Sequence, residues 1–302
     1  DANVIVTGAS GRGKEMVAEI IRQSDCVTEN FSAGVMERWG FGYEQLKAIK
    51  PDIIYVSNCG FGHEGPYSRY KTWGPVVQAV SGLTFSSGLP DLPPAGWGFS
   101  YMDHTGAHYM TMAILLAIIH HRRTGEGQWV DLACTEAALS LNGPALLDWT
   151  VNGRPGRRAG QPNSNRSTSP AMAAHGIYPC QGEDEWVAIA CRDDADWARL
   201  LEVANRPALR DHRFASLAAR LENEDALDAE MAAWTRGLDK FAVQRMLRTA
   251  DVPCSAVQRP EERVDHDPDT EGLWPKATHG AMGEVRVDGL AARFSATPWR
   301  IE

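Results

Sequence analysis

The sequence predicts an α/β protein: a large domain built on a parallel sheet, followed by a smaller α+β domain. Three observations carry this. Up to about residue 150, short apolar runs alternate with stretches of helical period, the pattern of strand–helix–strand units. From Val151 to Pro170 the composition changes, with Arg154, Arg157, Arg158 and Arg166 set among prolines, glycines, serines and asparagines. Such a stretch reads as a linker or functional loop. Beyond it, two strand-like runs precede a series of amphipathic helices.

The elements follow in order. Val4 to Val6 reads as a short buried strand. Lys14 to Gln23 carries Met16, Val17, Ile20 and Ile21 at helical spacing. Tyr43 to Ile49 is a second short helix, and Asp52 to Ser57, entered through Pro51, a second strand. Gly60 to Gly98 is glycine-rich and irregular. A long helix is expected from about Thr105 to Arg123, stopped by Gly125 just past its basic last turn. Trp129 to Ala133 is a third strand and Thr135 to Leu147 a further helix. In the smaller domain, Gly176 to Pro179 and Trp186 to Ala190 read as strands, and amphipathic helices run from Asp194 to Ala250. Gly283 to Phe294 alternates as strands do, through Val285, Val287 and Leu290. The expected division is 1–165 for the large domain, 166–274 for the small one, and 275–302 for a return to the first.

Composition narrows the function. With 43% hydrophobic and 23% charged residues, the chain can bury a core and is not a disordered sequence. A net charge of −9 argues against broad nucleic-acid binding, which needs a basic face. The longest apolar run, Met110 to Ile119, is too short for a membrane span. No basic flank followed by an apolar stretch opens the sequence, so no signal peptide is expected. Cys26, Cys59, Cys134, Cys180, Cys191 and Cys254 show no C-x-x-C pair, and no histidine stands at zinc-like spacing. Reduced core thiols in a cytoplasmic protein without a metal site are the expectation.

Val4 to Gly13 invites a dinucleotide-binding assignment, and Tyr67 and Lys71 stand four apart as in short-chain dehydrogenases. The glycine spacing is one residue short of that pattern. Tyr67 to Lys71 lies in a Gly/Pro-rich loop, where the two side chains would not share a helix face.

Four segments, in order, carry a more specific pattern. Glu29-Asn30-Phe31-Ser32-Ala33-Gly34 leads to Arg38-Trp39-Gly40. Ser57-Asn58-Cys59-Gly60-Phe61-Gly62 is followed by Gly65-Pro66-Tyr67. Tyr101-Met102-Asp103 leads to Arg123-Thr124-Gly125-Glu126-Gly127-Gln128-Trp129-Val130-Asp131, and Ser295-Ala296-Thr297-Pro298 stands near the end. Together these resemble the class III CoA transferases, the family of formyl-CoA and carnitine-CoA transferases, over residues 13 to 298. Ala33 replaces the family's usual proline. Relative to the family pattern, the sequence begins after a further segment that supplies the first strand, and stops before a C-terminal helix. A chain truncated at both ends is therefore expected.

The resemblance implies a Rossmann-like large domain and a ring-shaped subunit that interlocks with a second copy as a homodimer. It implies transfer of CoA from an acyl-CoA to a free carboxylic acid by covalent catalysis, with coenzyme A as substrate and no tightly bound cofactor. Asp103 matches the nucleophile, a carboxylate forming first a mixed anhydride and then a CoA thioester. Read from the residues alone, Asp103 is more readily an N-cap. Asn30, Phe31 and Ser32 match the turn along the adenine and phosphate region, and Arg38 an arginine that meets CoA phosphates. Cys59, Gly60, Phe61 and Gly62 match a strand end near the pantetheine. Gly160, Gln161 and Pro162 resemble a glycine loop that covers the intermediate, and the nearby arginines are candidates for the acceptor carboxylate. Glu136 is the alternative carboxylate. Two rivals stand beside this reading. An α-methylacyl-CoA racemase needs a His/Asp pair, absent from the matching stretch Thr72 to Val77. An inactive CoA-binding subunit is the other.

Overall fold

The computed structural model describes residues 11–89, 91–266, 270 and 272–299, the side chains of 265 and 266 excepted. The strand expected at Val4 to Val6 lies outside the described residues. The chain divides into two compact units, residues 1–164 and 165–302.

The first unit is organised by a parallel three-stranded sheet in the order β1-β2-β3. Its strands are β1 (Cys26–Glu29), β2 (Ile54–Cys59) and β3 (Trp129–Ala133). Every residue of β2 is buried, as befits a central strand covered on both faces. Alternation along β2 sorts its side chains. Tyr55 packs with Ile21, Phe41, Leu46 and Ile53, a cluster contributed largely by α1 (Gly11–Arg22) and α3 (Tyr43–Ile49). Ile54 and Val56 pack with Ala117, Met110, Ile114 and Ile118. Short α2 (Val35–Trp39) follows β1.

The strand predicted at Asp52 to Ser57 begins two residues later, because Asp52 turns outward to meet His121 Nε2 at 3.0 Å. The irregular glycine-rich stretch contains α4 (Gly74–Val80) and α5 (Leu83–Ser86). The long helix α6 (Tyr101–Thr124) starts four residues ahead of the expected Thr105, because Met102 and Gly106 are both buried at helical spacing. Its other end is as read: Gly125, with φ 77°, donates its N–H to the His121 carbonyl at 2.7 Å. The single helix expected over Thr135 to Leu147 is two, α7 (Cys134–Leu141) and α8 (Gly143–Asn152). Pro144 sits in the first turn of α8, where its missing N–H costs nothing, and could not have continued α7.

The second unit holds an antiparallel sheet, β6 (His175–Pro179), β7 (Trp186–Ala190) and β8 (Cys254–Ala256). Short hairpin β4 (Ser167–Thr168) with β5 (Ala171–Met172) precedes it. Helices α9 (Asp194–Ala204), α10 (Leu217–Glu222), α11 (Glu224–Thr235) and α12 (Lys240–Thr249) accompany the sheet. Their core includes Trp197, Leu200, Phe214, Met231, Val243 and Leu247. Arg220 is fully buried there, donating to the carbonyls of Ala173 and Phe214 and to Asp194. Hairpin β9 (Lys276–His279) with β10 (Gly283–Arg286) also belongs to this unit. Of the strand expected over Gly283 to Phe294, β10 covers the first four residues, and the N–H groups of Val287 and Gly289 go on to donate to the carbonyls of Pro275 and Leu273.

Candidate active site

The carboxyl ends of parallel strands are where open α/β sheets take ligands, and in the first unit a cavity of about 300 Å³ lies there. Thr28, Glu29 and Asn30 reach it from β1 and the turn beyond; Asn58, Cys59 and Gly60 come from the end of β2. Thr72, Trp73 and Val77 close one wall, Asp103, Ala107 and Met110 of α6 another, and Cys134 completes the lining. Gly60 is required by contact: a Cβ there would lie 1.7 Å from Thr72 Oγ1 and 2.6 Å from Thr72 Cβ. Its carbonyl accepts from both the N–H and the Oγ1 of Thr135, which fixes the strand end.

Asp103 is the third residue of α6, inside its first turn. Ser100, not Asp103, occupies the N-cap position, and the Asp103 N–H already donates to the Ser100 carbonyl. Capping therefore does not account for this aspartate. The positive end of the helix favours an anion at this point, and Asp103 lines the cavity. Its charge, after burial, helps push the Cys134 thiol up to about 11. Cys134 stays an S–H donor to Asn58 Oδ1 at 3.0 Å.

The second carboxylate of the cavity, Glu29, is 7% exposed and committed. It accepts from the Phe31 N–H at 2.7 Å and from the Tyr55 hydroxyl at 3.1 Å. Burial raises its pKa against the opposing pull of those bonds and of His63, whose Nε2 is 3.9 Å away. On the same face of the sheet, His63 Nδ1 lies 3.0 Å from Asp131 Oδ1 and 3.8 Å from Cys59 Sγ. Asp131 Oδ2 also accepts the His63 backbone N–H at 2.8 Å. Cys59 and Asp131 push the His63 imidazole up to about 9 although burial opposes it. Cys59, His63 and Asp131 are a group able to hold a metal ion, with ligand atoms within 4.8 Å of one another. Neither a C-x-x-C pair nor a zinc-like histidine spacing marks it in the sequence. Its signal is a C-x-x-x-H step completed by an aspartate from the neighbouring strand.

The family model for CoA-transferase family III matches residues 4–302. The chain belongs to that family. It is 30% identical over 304 residues to the succinyl-CoA–D-citramalate CoA-transferase of Chloroflexus aurantiacus, covering 96% of this chain and 71% of that protein. It is 36% identical over 215 residues to the acetyl-CoA:oxalate CoA-transferase of Acetobacter aceti, covering 70% of this chain and 53% of that one. Among solved structures, a CaiB/BaiF family protein from Brucella suis superposes with a TM-score of 0.84 at 28% identity, over 96% of this chain and 74% of its own. The mixed α/β fold with its parallel sheet is thus the fold of this family.

Within this CoA-transferase family member, Asn30, Cys59, Gly60 and Asp103 meet at one cavity, and the other expected site residues do not line it. Phe31 packs edge-on against Trp39 at 5.0 Å. Ser32 and Arg38 are exposed at the surface beside it. Phe61 stacks among Tyr67 and Tyr70, and Gly62, with φ 76°, turns the chain back over Asp131. Gly160, Gln161 and Pro162 form a turn closed by Arg158 and Gln161 backbone bonds. Glu136 is exposed on α7 and does not line the cavity. The arginines considered for an acceptor acid have partners of their own. Arg157 binds the carbonyls of Phe85, Ser87 and Leu92, and Arg154 and Arg158 pair with Asp148. Arg166 pairs with Asp225 and Asp228.

The Gly60 contact makes a prediction. Gly60→Ala overpacks the cavity wall and lowers stability by about 1–3 kcal/mol. Adding Thr72→Gly in the same chain recovers most of that loss. Calorimetric midpoints of the single and double variants measure both effects, and an unaltered midpoint for Gly60→Ala would show that the wall yields freely.

Proposed function

We propose that the chain moves CoA from an acyl-CoA to a free carboxylic acid, with Asp103 as the covalent nucleophile. The observation that carries this reading is an uncapping, cavity-lining carboxylate in the first turn of α6. The Asp103 carboxylate attacks the thioester carbonyl, and the carbon–sulfur bond breaks to release CoA thiolate and an aspartyl mixed anhydride. The thiolate then attacks the aspartyl carbonyl, freeing the donor's carboxylate and leaving an aspartyl-CoA thioester. An acceptor carboxylate attacks that thioester, again expelling thiolate. The thiolate finally attacks the acceptor's acyl carbon, which restores Asp103 and releases the new acyl-CoA. Each tetrahedral oxyanion forms near the N-terminal turn of α6, where the helix dipole favours negative charge.

The racemase alternative finds no support here, since Thr72 and Trp73 stand at the cavity wall where that chemistry needs a base. Both Glu29 oxygens already accept hydrogen bonds. The cavity holds only the reacting end of a substrate as large as acyl-CoA. The nucleotide therefore extends along the surface beyond Asn30, toward Phe31, Ser32 and Arg38. A Rossmann-like first domain, with ring subunits interlocked as a homodimer, completes the reading.

Asp103→Asn removes the nucleophile and keeps the side-chain size. Acyl exchange falls by at least about a thousandfold, while stability falls by no more than about 1 kcal/mol from the lost charge–dipole attraction. Wild-type protein given acyl-CoA and then hydroxylamine yields a hydroxamate at Asp103, located by mass spectrometry. Retained exchange in the variant refutes the nucleophile. A hydroxamate at Glu136 would keep the reaction and reassign the residue, and no exchange with any of a panel of acids would favour an inactive CoA-binding subunit.

Arg38→Ala raises the Michaelis constant for acyl-CoA about tenfold and changes turnover less than about twofold, as loss of a ground-state phosphate contact requires. An unchanged constant makes Arg38 a solvated surface charge.

Interlocked rings part only by unfolding. Two differently tagged preparations, mixed at micromolar concentration, are therefore expected to exchange no subunits over hours. Light scattering that reports a monomer removes the dimer from the proposal.

A further inference from the structure

We propose that Cys59, His63 and Asp131 form a binding site for one divalent cation of the zinc class. The three donors converge from fixed positions. Cys59 ends β2, His63 lies in the turn four residues on, and Asp131 belongs to β3, whose register beside β2 pairs it with Ser57. A tetrahedral ion with one sulfur and one nitrogen ligand separates those atoms by about 3.5 Å, and nitrogen from oxygen by a little over about 3 Å. The observed separations are 3.8 Å for Cys59 Sγ to His63 Nδ1 and 3.0 Å for His63 Nδ1 to Asp131 Oδ1. All three ligand atoms lie within 4.8 Å of one another, so side-chain adjustment is enough to bring them to one ion.

The surroundings suit a metal. The same nitrogen, Nδ1, faces both the sulfur and the carboxylate, so once it gives up its proton it is directed at the centre of the group. Asp131 Oδ2 is held by the His63 backbone N–H, which leaves Oδ1 to act as ligand. The other ring nitrogen, Nε2, faces Glu29 Oε1 at 3.9 Å, and the Trp129 ring meets the imidazole edge-on at 5.4 Å. A carboxylate behind a ligating histidine is the usual outer partner of a zinc site and raises the basicity of the ligand. Gly62 makes the tight return possible, with φ 76° and only 3.4 Å between its Cβ position and Asp131 Oδ2.

The donor set decides the class of cation. Thiolate and imidazole select zinc and its neighbours, while magnesium and calcium take sites built from oxygen. A divalent ion binds such ligands by displacing their protons, so its affinity rises with pH. Three protein ligands leave one tetrahedral position open for water or another small donor. Cys59 also lines the cavity that Asp103 lines, so the ion would sit beside the transfer chemistry, held by residues other than Asp103.

The test uses the full chain, dialysed against a chelator and then freed of it, and titrated with Co²⁺. One equivalent is expected to bind and produce a thiolate-to-cobalt charge-transfer band in the near ultraviolet, which one equivalent of Zn²⁺ bleaches and excess Mg²⁺ does not. Cys59→Ser abolishes the band. His63→Gln and Asp131→Asn each weaken Co²⁺ binding at least about tenfold, with far-ultraviolet circular dichroism matching the wild type. A wild-type chain that gives no band overturns the proposal, as does a Cys59→Ser chain that keeps it, because the ion would then be held by another thiol. Equal competition by Mg²⁺ overturns the assignment of the class.

Discussion

The buried carboxylate of Glu29 is the constraint on which the site end of the sheet depends. Register sets Glu29, Ser57 and Asp131 side by side across β1, β2 and β3. His63 folds back over that row, touching Ser57, Asp131 and Cys59 and facing Glu29. Trp129 donates its indole N–H to Ser57 Oγ at 2.9 Å, and Tyr55 donates to Glu29. A carboxylate taken out of water at this depth is tolerated only when its lone pairs are answered. Here a backbone N–H, a phenol and a nearby imidazolium answer them. The bond to the Phe31 N–H has a direct geometric result: it bends the chain just after β1, so that Asn30 reaches the cavity while Phe31 and Ser32 are left at the surface.

The other wall depends on close packing rather than charge. Gly106 lets α6 approach β2 and α7, since a Cβ there would lie 2.7 Å from Cys134 Sγ. That approach sets Asp103, one turn earlier on the same helix, beside the ends of the strands. A network of polar bonds thus shapes the β1 side of the cavity, and the absence of two side chains, at Gly60 and Gly106, shapes the β2 and α6 side.

These two devices explain what was legible in the sequence. Strand β3 and helix α3 were read with the bounds they have, and the end of α6 was legible from its basic last turn and Gly125, because these are local signals. Asp103 was legible as a candidate through its segment, but its position inside the helix was not: the cap at Ser100 has no side-chain hydrogen bond to betray it. Strand β1 escaped notice because Cys26-Val27-Thr28-Glu29 ends in a charge, and a buried glutamate reads as solvent-facing until its partners, Tyr55 and His63, are brought near by folding. The cluster of Cys59, His63 and Asp131 was hidden for the same reason, since His63 and Asp131 are 68 residues apart in the chain. Thr72, Val77 and Met110 likewise join the lining only through tertiary packing, with no local pattern to mark them.

A cavity lined by two thiols and two carboxylates raises the question of why a carboxylate should be the nucleophile, since sulfur is intrinsically better at attacking a thioester. Availability is one part of the answer. Burial and the charge of Asp103 push the Cys134 thiol up to about 11, so only about one molecule in ten thousand carries the thiolate at pH 7. Cys59 packs against His63, with its Sγ 3.8 Å from His63 Nδ1. The product decides the rest. A thiol that took the acyl group would form a second thioester, equal in energy to the first, and would have no carbonyl of its own to which CoA could become attached. An aspartate offers its own carbon: acylated, it is an anhydride that CoA thiolate can open at either carbonyl, and opened at the aspartyl side it holds CoA while the first acid leaves. Exchange between two free acids needs such a carrier. Of the two carboxylates at the cavity, Glu29 is engaged by hydrogen bonds to both oxygens, which favours Asp103 as the proposed nucleophile.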